Sequence, residues 1–194
     1  MADELKGRTV AILAADGVER VELEQPRQAV TEAGAQVKLL SIHEGEIAAR
    51  NNDLEEAGTF AVDGLVSDAS VEDYDALLLP GGTVNPDKLR MDEDAVGFVR
   101  DFFHSGKPIG AICHGPWTLD EAGVVNHLRL TSFPSIRTDL RNAGAEVVDQ
   151  EVVTDQGVVS SRSPDDLPAF CSKVVEEFAE GRHEARAGAG AARA

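Results

Sequence analysis

The chain has 194 residues, 35 of them acidic and 18 basic, for a formal net charge of −17, and 42% of its residues are hydrophobic. The length suits one domain, and the apolar share excludes wholesale disorder. The surplus of negative charge argues against nucleic acid and against an anionic membrane surface, since both want a basic face. No run of eighteen apolar residues suggests a membrane span, and Met1-Ala2-Asp3-Glu4-Leu5-Lys6 lacks the basic start of a secretory signal. The two cysteines, Cys113 and Cys171, stand far apart, which fits a reducing cytoplasm better than a disulfide framework.

In chain order, residues 8–15 form an apolar run that stops at Asp16-Gly17 and reads as a strand buried on both faces. Pro26 suits the first turn of a helix through Ala29, Val30 and Ala33, stopped at Gly34. Residues 36–42 read as a second strand, so the opening is a β-α-β unit with a right-handed crossover. From 43 to 73 the pattern is less regular, with turn signals at Asn51-Asn52-Asp53 and Asp63-Gly64 around short strands near Ile47 and 60–62, an excursion from the main sheet. Residues 75–80 are a buried strand followed by Gly81-Gly82. Asp92 caps a helix that carries Val96, Phe98, Val99, Phe102 and Phe103 toward Gly106. Residues 108–113 are a strand running straight into His114-Gly115-Pro116 and a helix. A short strand at 128–131, a helix at 136–143 and two short strands within 152–160 follow. Asp165 or Asp166 then caps a last helix. The alternation predicts an α/β domain with a mostly parallel sheet and helices on both faces. Residues 1–7 read as an N-terminal extension, 8–180 as the domain and 181–194 as an Ala/Gly/Arg-rich tail.

Chemistry in open α/β sheets sits beyond the carboxyl ends of the strands. Cys113 stands at such an end, in a strand–nucleophile–small residue–helix arrangement that reads as a nucleophile elbow. Gly115 relieves the turn, Pro116 suits a first helical turn, and the helix N-terminus favours thiolate. Cys171, mid-helix beside Phe170, reads as core. His114 is either the base for the thiol or a residue that shapes the turn. Gly81-Gly82 offers bare backbone N–H groups for an oxyanion, or is an ordinary turn. The three carboxylates of Asp16, Glu19 and Glu22 would by default serve solvent and the helix dipole.

The elbow Ala111-Ile112-Cys113-His114-Gly115-Pro116 resembles that of the ThiJ/PfpI superfamily, in its PfpI-like intracellular protease branch. Residues 15–23 with Pro26, Leu79-Pro80-Gly81-Gly82 and residues 159–167 agree in order and context, and the resemblance spans roughly 8–180. It implies a flavodoxin-like three-layer sandwich, a homo-oligomer that is a dimer or a hexamer, and Cys113 as nucleophile. It also implies Glu22 on the cysteine sulfur, Glu19 as a second carboxylate nearby, and Gly82 with the His114 backbone as oxyanion donors. A neighbouring subunit's Asp87 would complete a Cys-His-acid triad, although the loop 81–87 is one residue longer than the family pattern and offers Asp in place of Glu. An amidotransferase reading needs a late histidine and glutamate, and His183 with Glu184 falls in the expected tail. No His or Cys pair has metal-ligand spacing and no loop resembles a nucleotide site, so neither metal nor cofactor is expected.

Three functions follow. Thiolate Cys113 attacks reactive carbonyls such as methylglyoxal or early glycation adducts, with Glu22 or His114 as acid/base. The same thiolate attacks peptides, with His114, Asp87 and Gly82. Or Cys113 is a stress sensor that works through its own oxidation.

Overall fold

The computed structural model describes residues 3–183. Its elements are β1 (Thr9–Leu13), β2 (Val18–Glu19), α1 (Arg20–Glu32), β3 (Gln36–Ser41), β4 (Glu46–Asn51), β5 (Glu55–Ala61), β6 (Gly64–Leu65), β7 (Ala76–Leu79), α2 (Val84–Leu89), α3 (Glu93–His104), β8 (Ile109–Ile112), α4 (Pro116–Glu121), β9 (Arg129–Leu130), α5 (Arg137–Asn142), β10 (Glu146–Val147), β11 (Val152–Asp155), β12 (Val158–Ser161) and α6 (Leu167–Glu180). The main sheet runs β11-β12-β8-β7-β1-β3-β6. Only the β11–β12 pair is antiparallel. This is the mostly parallel α/β domain expected from the alternation of apolar runs, and the flavodoxin-like sandwich that the resemblance implied.

Both faces of the sheet are buried, so the strands are apolar throughout and sort by the two-residue period. Ala11, Leu13, Leu77, Leu79, Ile109 and Ala111 enter one core with Phe98 and Phe102 of α3 and Leu119 of α4. Val10, Ile12, Ala76, Leu78 and Ile112 enter the other with Leu23 and Val30 of α1 and Phe170, Val174 and Phe178 of α6. Asp92 caps α3 as expected, its carboxylate accepting from the Ala95 N–H at 2.9 Å. From the irregular stretch β4 and β5 form a separate three-stranded sheet with β2, and β6 returns to the edge of the main sheet.

Three expectations need correction. Helix α1 begins at Arg20, so Pro26 lies inside it, not in its first turn. An interior proline lacks the N–H for the carbonyl four residues back, at a typical cost of about 3 kcal/mol. Burial of Leu23, Pro26 and Val30 on the sheet overrides that local preference. Second, the chain before Arg8 is part of the folded unit: Leu5 is fully buried and its N–H donates to the Ala33 carbonyl at 2.8 Å. Third, the domain does not end at 180. The His183 N–H donates to the Gly106 carbonyl at 2.7 Å, and its Nε2 lies 2.5 Å from Glu177 Oε1. The rest of the expected tail, 184–194, falls outside the described residues. Among the described residues no helix is long and apolar enough to cross a membrane.

Candidate active site

Strand order reverses between β1 and β7: the chain fills one side of β1 with β3 and β6, then the other with β7, β8 and β12. Such a switch point opens a crevice at the carboxyl ends of the strands. The segments after β1, β7 and β8 meet there, with Glu19 ending β2 and Glu22 in the first turn of α1, Gly81 and Gly82 after β7, and Cys113 and His114 after β8.

Cys113 has φ of 62°, a left-handed conformation that costs a non-glycine residue of order 1 kcal/mol or more. The turn also breaks the alternation of β8. Ile112 and Cys113 both join the core shared with α1 and α6, where a continuing strand would send them to opposite faces. Gly115 is obligatory: a Cβ there would strike the Leu79 carbonyl and lie 2.9 Å from that of Ile112. The elbow read from the sequence is therefore a real, strained corner.

Glu22, in the first turn of α1, is 1% exposed. Its Oε2 accepts from the Gly81 N–H at 2.9 Å. Oε1 is buried without a partner of ordinary geometry, and the Cys113 thiol is the hydrogen-bonding group beside the carboxyl. Gly81 permits this approach, since a Cβ would stand 2.5 Å from Glu22 Oε2 and 2.6 Å from Cys113 Cβ. Burial pushes the Glu22 carboxyl up to about 8, against the opposing hydrogen bond from Cys113. Glu19 is also buried and accepts from the Asp53 N–H at 3.4 Å. The default of solvated loop carboxylates thus fails for two of the three. Asp16 follows it more closely, half-buried and holding Lys88 Nζ and His43 Nε2, each at 3.1 Å.

Burial, then the Glu22 carboxylate, pushes the Cys113 thiol upward, while the backbone amides of Gly82 and His114 act on the sulfur in the opposite direction. Burial and the neighbouring carboxyl thus work against the thiolate that the start of α4 was expected to favour, and the two amides work for it.

His114 Nδ1 lies 3.2 Å from Cys113 Sγ, and Nε2 lies 2.8 Å from Ser135 Oγ. The ring stacks on Phe133, with centroids 4.5 Å apart. Burial lowers the imidazole's proton affinity, with the Asp53 charge working against it. A neutral ring that donates Nε2–H to Ser135 turns its Nδ1 lone pair to the thiol, the geometry a base requires.

Asp87 lies exposed on α2, and within the chain the partner of Nε2 is Ser135. Asp53 is the carboxylate whose charge reaches both His114 and Glu22. It is held by the Thr83 N–H at 2.6 Å and the Thr83 hydroxyl at 2.9 Å. In the sequence Asp53 carries only a turn signal, and no motif marks Ser135, Phe133 or Asn85. Cys171 lines the α6 side of a core as expected, its thiol pushed up to about 11 by burial.

The arrangement sets an imidazole and a buried carboxyl beside one sulfur, with the backbone amides of Gly82 and His114 acting on it. The model of the DJ-1/PfpI family matches residues 8–177. A deglycase of Thermococcus kodakarensis is 41% identical over 167 residues, covering 86% of this chain and 97% of that protein. General stress protein 18 of Bacillus subtilis is 39% identical over 165 residues, covering 84% of this chain and 94% of that one. Among solved structures, a two-domain protein of Anabaena variabilis containing DJ-1/ThiJ/PfpI-like and ferritin-like domains superposes with a TM-score of 0.80 at 31% identity. It matches 88% of this chain, which spans about half of that protein, 48%. With the family model covering nearly all of the folded chain and the elbow, Gly-Gly loop and buried glutamate in one crevice, the chain belongs to the DJ-1/PfpI family.

Proposed function

We propose that this chain is a cofactor-independent, cysteine-dependent enzyme of reactive carbonyls, acting on methylglyoxal and on early glycation adducts in a stress-related role. One observation carries the reading: the Cys113 thiol lies 3.2 Å from His114 Nδ1 and beside the carboxyl of Glu22, a group 1% exposed that burial pushes up to about 8. The names of the relatives, a deglycase and a general stress protein, support it.

In this reading His114 takes the thiol proton as Sγ bonds the aldehyde carbon, and Glu22 delivers its proton to the carbonyl oxygen, giving a hemithioacetal. The Glu22 carboxylate then removes the proton from that carbon and returns it to the adjacent one, while the hydroxyl proton of the first carbon passes to the oxygen of the second through an enediol. The product is a thioester of lactate. Water cleaves the C–S bond, so methylglyoxal plus water gives lactate and the thiol is restored. On a glycation adduct the same attack at the former aldehyde carbon expels the amine. Gly82 N–H and His114 N–H supply the oxyanion donors, and Glu19 and Asp53 surround the acid. An aldehyde suits this site better than an amide. Peptide cleavage relies on an acid behind the histidine, and here Nε2 meets a serine hydroxyl, leaving Asp87 to act only from a neighbouring subunit.

The test is lactate formation from methylglyoxal by the reduced protein, without glutathione or added metal. Wild type is expected to turn over, and Cys113→Ser to lose about a thousandfold or more. No lactate above background from folded, reduced wild type would overturn the reading. Ser135→Ala is expected to lower kcat/KM about tenfold, because it frees Nε2 and lets the other tautomer compete. Unchanged kinetics would show that stacking on Phe133 alone sets the ring.

A further inference from the structure

Asn85 is fully buried and lies outside the groups that would touch a substrate. Its side chain is also fully used. Nδ2 donates to the Pro80 carbonyl at 2.9 Å and to the Gly81 carbonyl at 3.0 Å, and Oδ1 accepts from the Ala15 N–H at 2.7 Å. Two carbonyls and one N–H admit one orientation of the amide, so the assignment of oxygen and nitrogen is fixed by its partners. One side chain thus ties the loop after β1 to the loop after β7.

The Gly81 carbonyl matters most. It also accepts from the Glu19 N–H at 3.3 Å. The Gly81–Gly82 peptide is trans, and in a trans peptide the carbonyl and the next N–H point in opposite directions. Fixing the Gly81 oxygen therefore fixes the direction of the Gly82 N–H, which acts on the Cys113 sulfur. Gly82 cannot choose this orientation by its own preference. A glycine at φ 79° has wide conformational freedom, and its close packing on the Gly17 carbonyl and the Glu19 amide rules out a Cβ that would stiffen it.

We infer that Asn85 is a positioning residue: by clamping the Pro80 and Gly81 carbonyls it holds the Gly82 N–H on the Cys113 sulfur and on the oxyanion that develops beside it. The loop 81–87 then has a division of labour. Thr83 fastens Asp53, Asn85 aims the donor, and Pro86 is buried at the base of α2. The oxyanion part of the inference rests on the carbonyl chemistry proposed above; the sulfur part does not.

Two readouts separate them. The first is the pH profile of Cys113 alkylation by iodoacetamide, followed by peptide mass so that Cys171 is counted apart. Asn85→Leu is expected to shift the profile upward by about 0.5 to 1 pH unit, because a donor that favours the thiolate is no longer held. The second is steady-state turnover of methylglyoxal, where kcat should fall about ten- to a hundredfold with KM within about twofold, as for a donor used in the transition state. Asn85→Asp keeps the shape and the Ala15 bond but removes both amide donors, and serves if the leucine variant does not fold. A folded variant with lowered Tm but an unmoved alkylation profile would overturn the inference and leave Asn85 as a structural tie alone. A shifted profile with unchanged kcat would overturn its oxyanion part. If wild type makes no lactate, the proposed reaction fails while the alkylation profile still decides the role of Asn85 at the sulfur.

Discussion

Glu22→Gln should lower methylglyoxal turnover at least a hundredfold while making Cys113 about tenfold easier to alkylate at pH 9. The two effects come from one carboxyl. Turnover needs a group that gives a proton to the carbonyl oxygen and takes one from carbon, and an amide does neither; losing such a group commonly costs two to four orders of magnitude. Alkylation needs only a thiolate and an open electrophile. Above about pH 8 Glu22 is ionised and opposes a second negative charge on the sulfur beside it. Two unit charges about 4 Å apart interact by about 4 kcal/mol at an effective dielectric near 20, so even a third of that yields the tenfold gain. The glutamine keeps the volume and still offers an oxygen to the Gly81 N–H. Alkylation rates across pH 6–10, set beside lactate rates, check both arms. A fall in both would mean that the carboxyl orients the thiol and does not restrain it.

The residues of this site were unequally legible in the sequence, for physical reasons. Cys113 could be read because an elbow is a local device: a buried strand, a nucleophile, a small residue and a helix-starting proline must be contiguous. Gly81-Gly82 was visible by the same logic at the next strand end. Glu22 was not legible from its own neighbourhood. A glutamate in the first turn of a helix usually faces water, and only the resemblance singled it out; the structure supplies the cause, a Gly81 without a side chain and a helix pressed onto the sheet by Leu23, Pro26 and Val30. Asp53 and Ser135 arrive from further away. Asp53 is swung in by two successive left-handed residues at the β4–β5 turn, Asn52 at φ 51° and Asp53 at φ 65°. Ser135 comes 21 positions after the histidine it holds, in a stretch with no motif. Asp87, expected to act from a neighbouring subunit, is exposed on α2 of its own chain.

The buried carboxyl should also cost the protein stability, with a pH signature that identifies it. Glu22 has a reference value of 4.5 and is raised to about 8 in the folded chain. Below pH 4.5 it is protonated in both states and adds no penalty. Between 4.5 and 8 the unfolded chain releases the proton while the folded chain keeps it, so stability falls as pH rises, by about 1.4 kcal/mol per unit. The fall totals about 5 kcal/mol by pH 8, then levels off because both states are ionised. Glutamine does not titrate. The advantage of Glu22→Gln over wild type should therefore grow between pH 5 and pH 8 by about 4 kcal/mol. Urea midpoints of both proteins at the two pH values measure it. Carboxyls held low elsewhere, such as Asp149, titrate alike in both proteins and drop out of the difference. An advantage that does not change with pH would show that the carboxyl is not held protonated, and with it the acid of the proposed reaction would be lost. If the advantage grows as expected, the same burial that strains the fold keeps a proton available beside the sulfur near pH 7, where a carboxyl in water would have none to give.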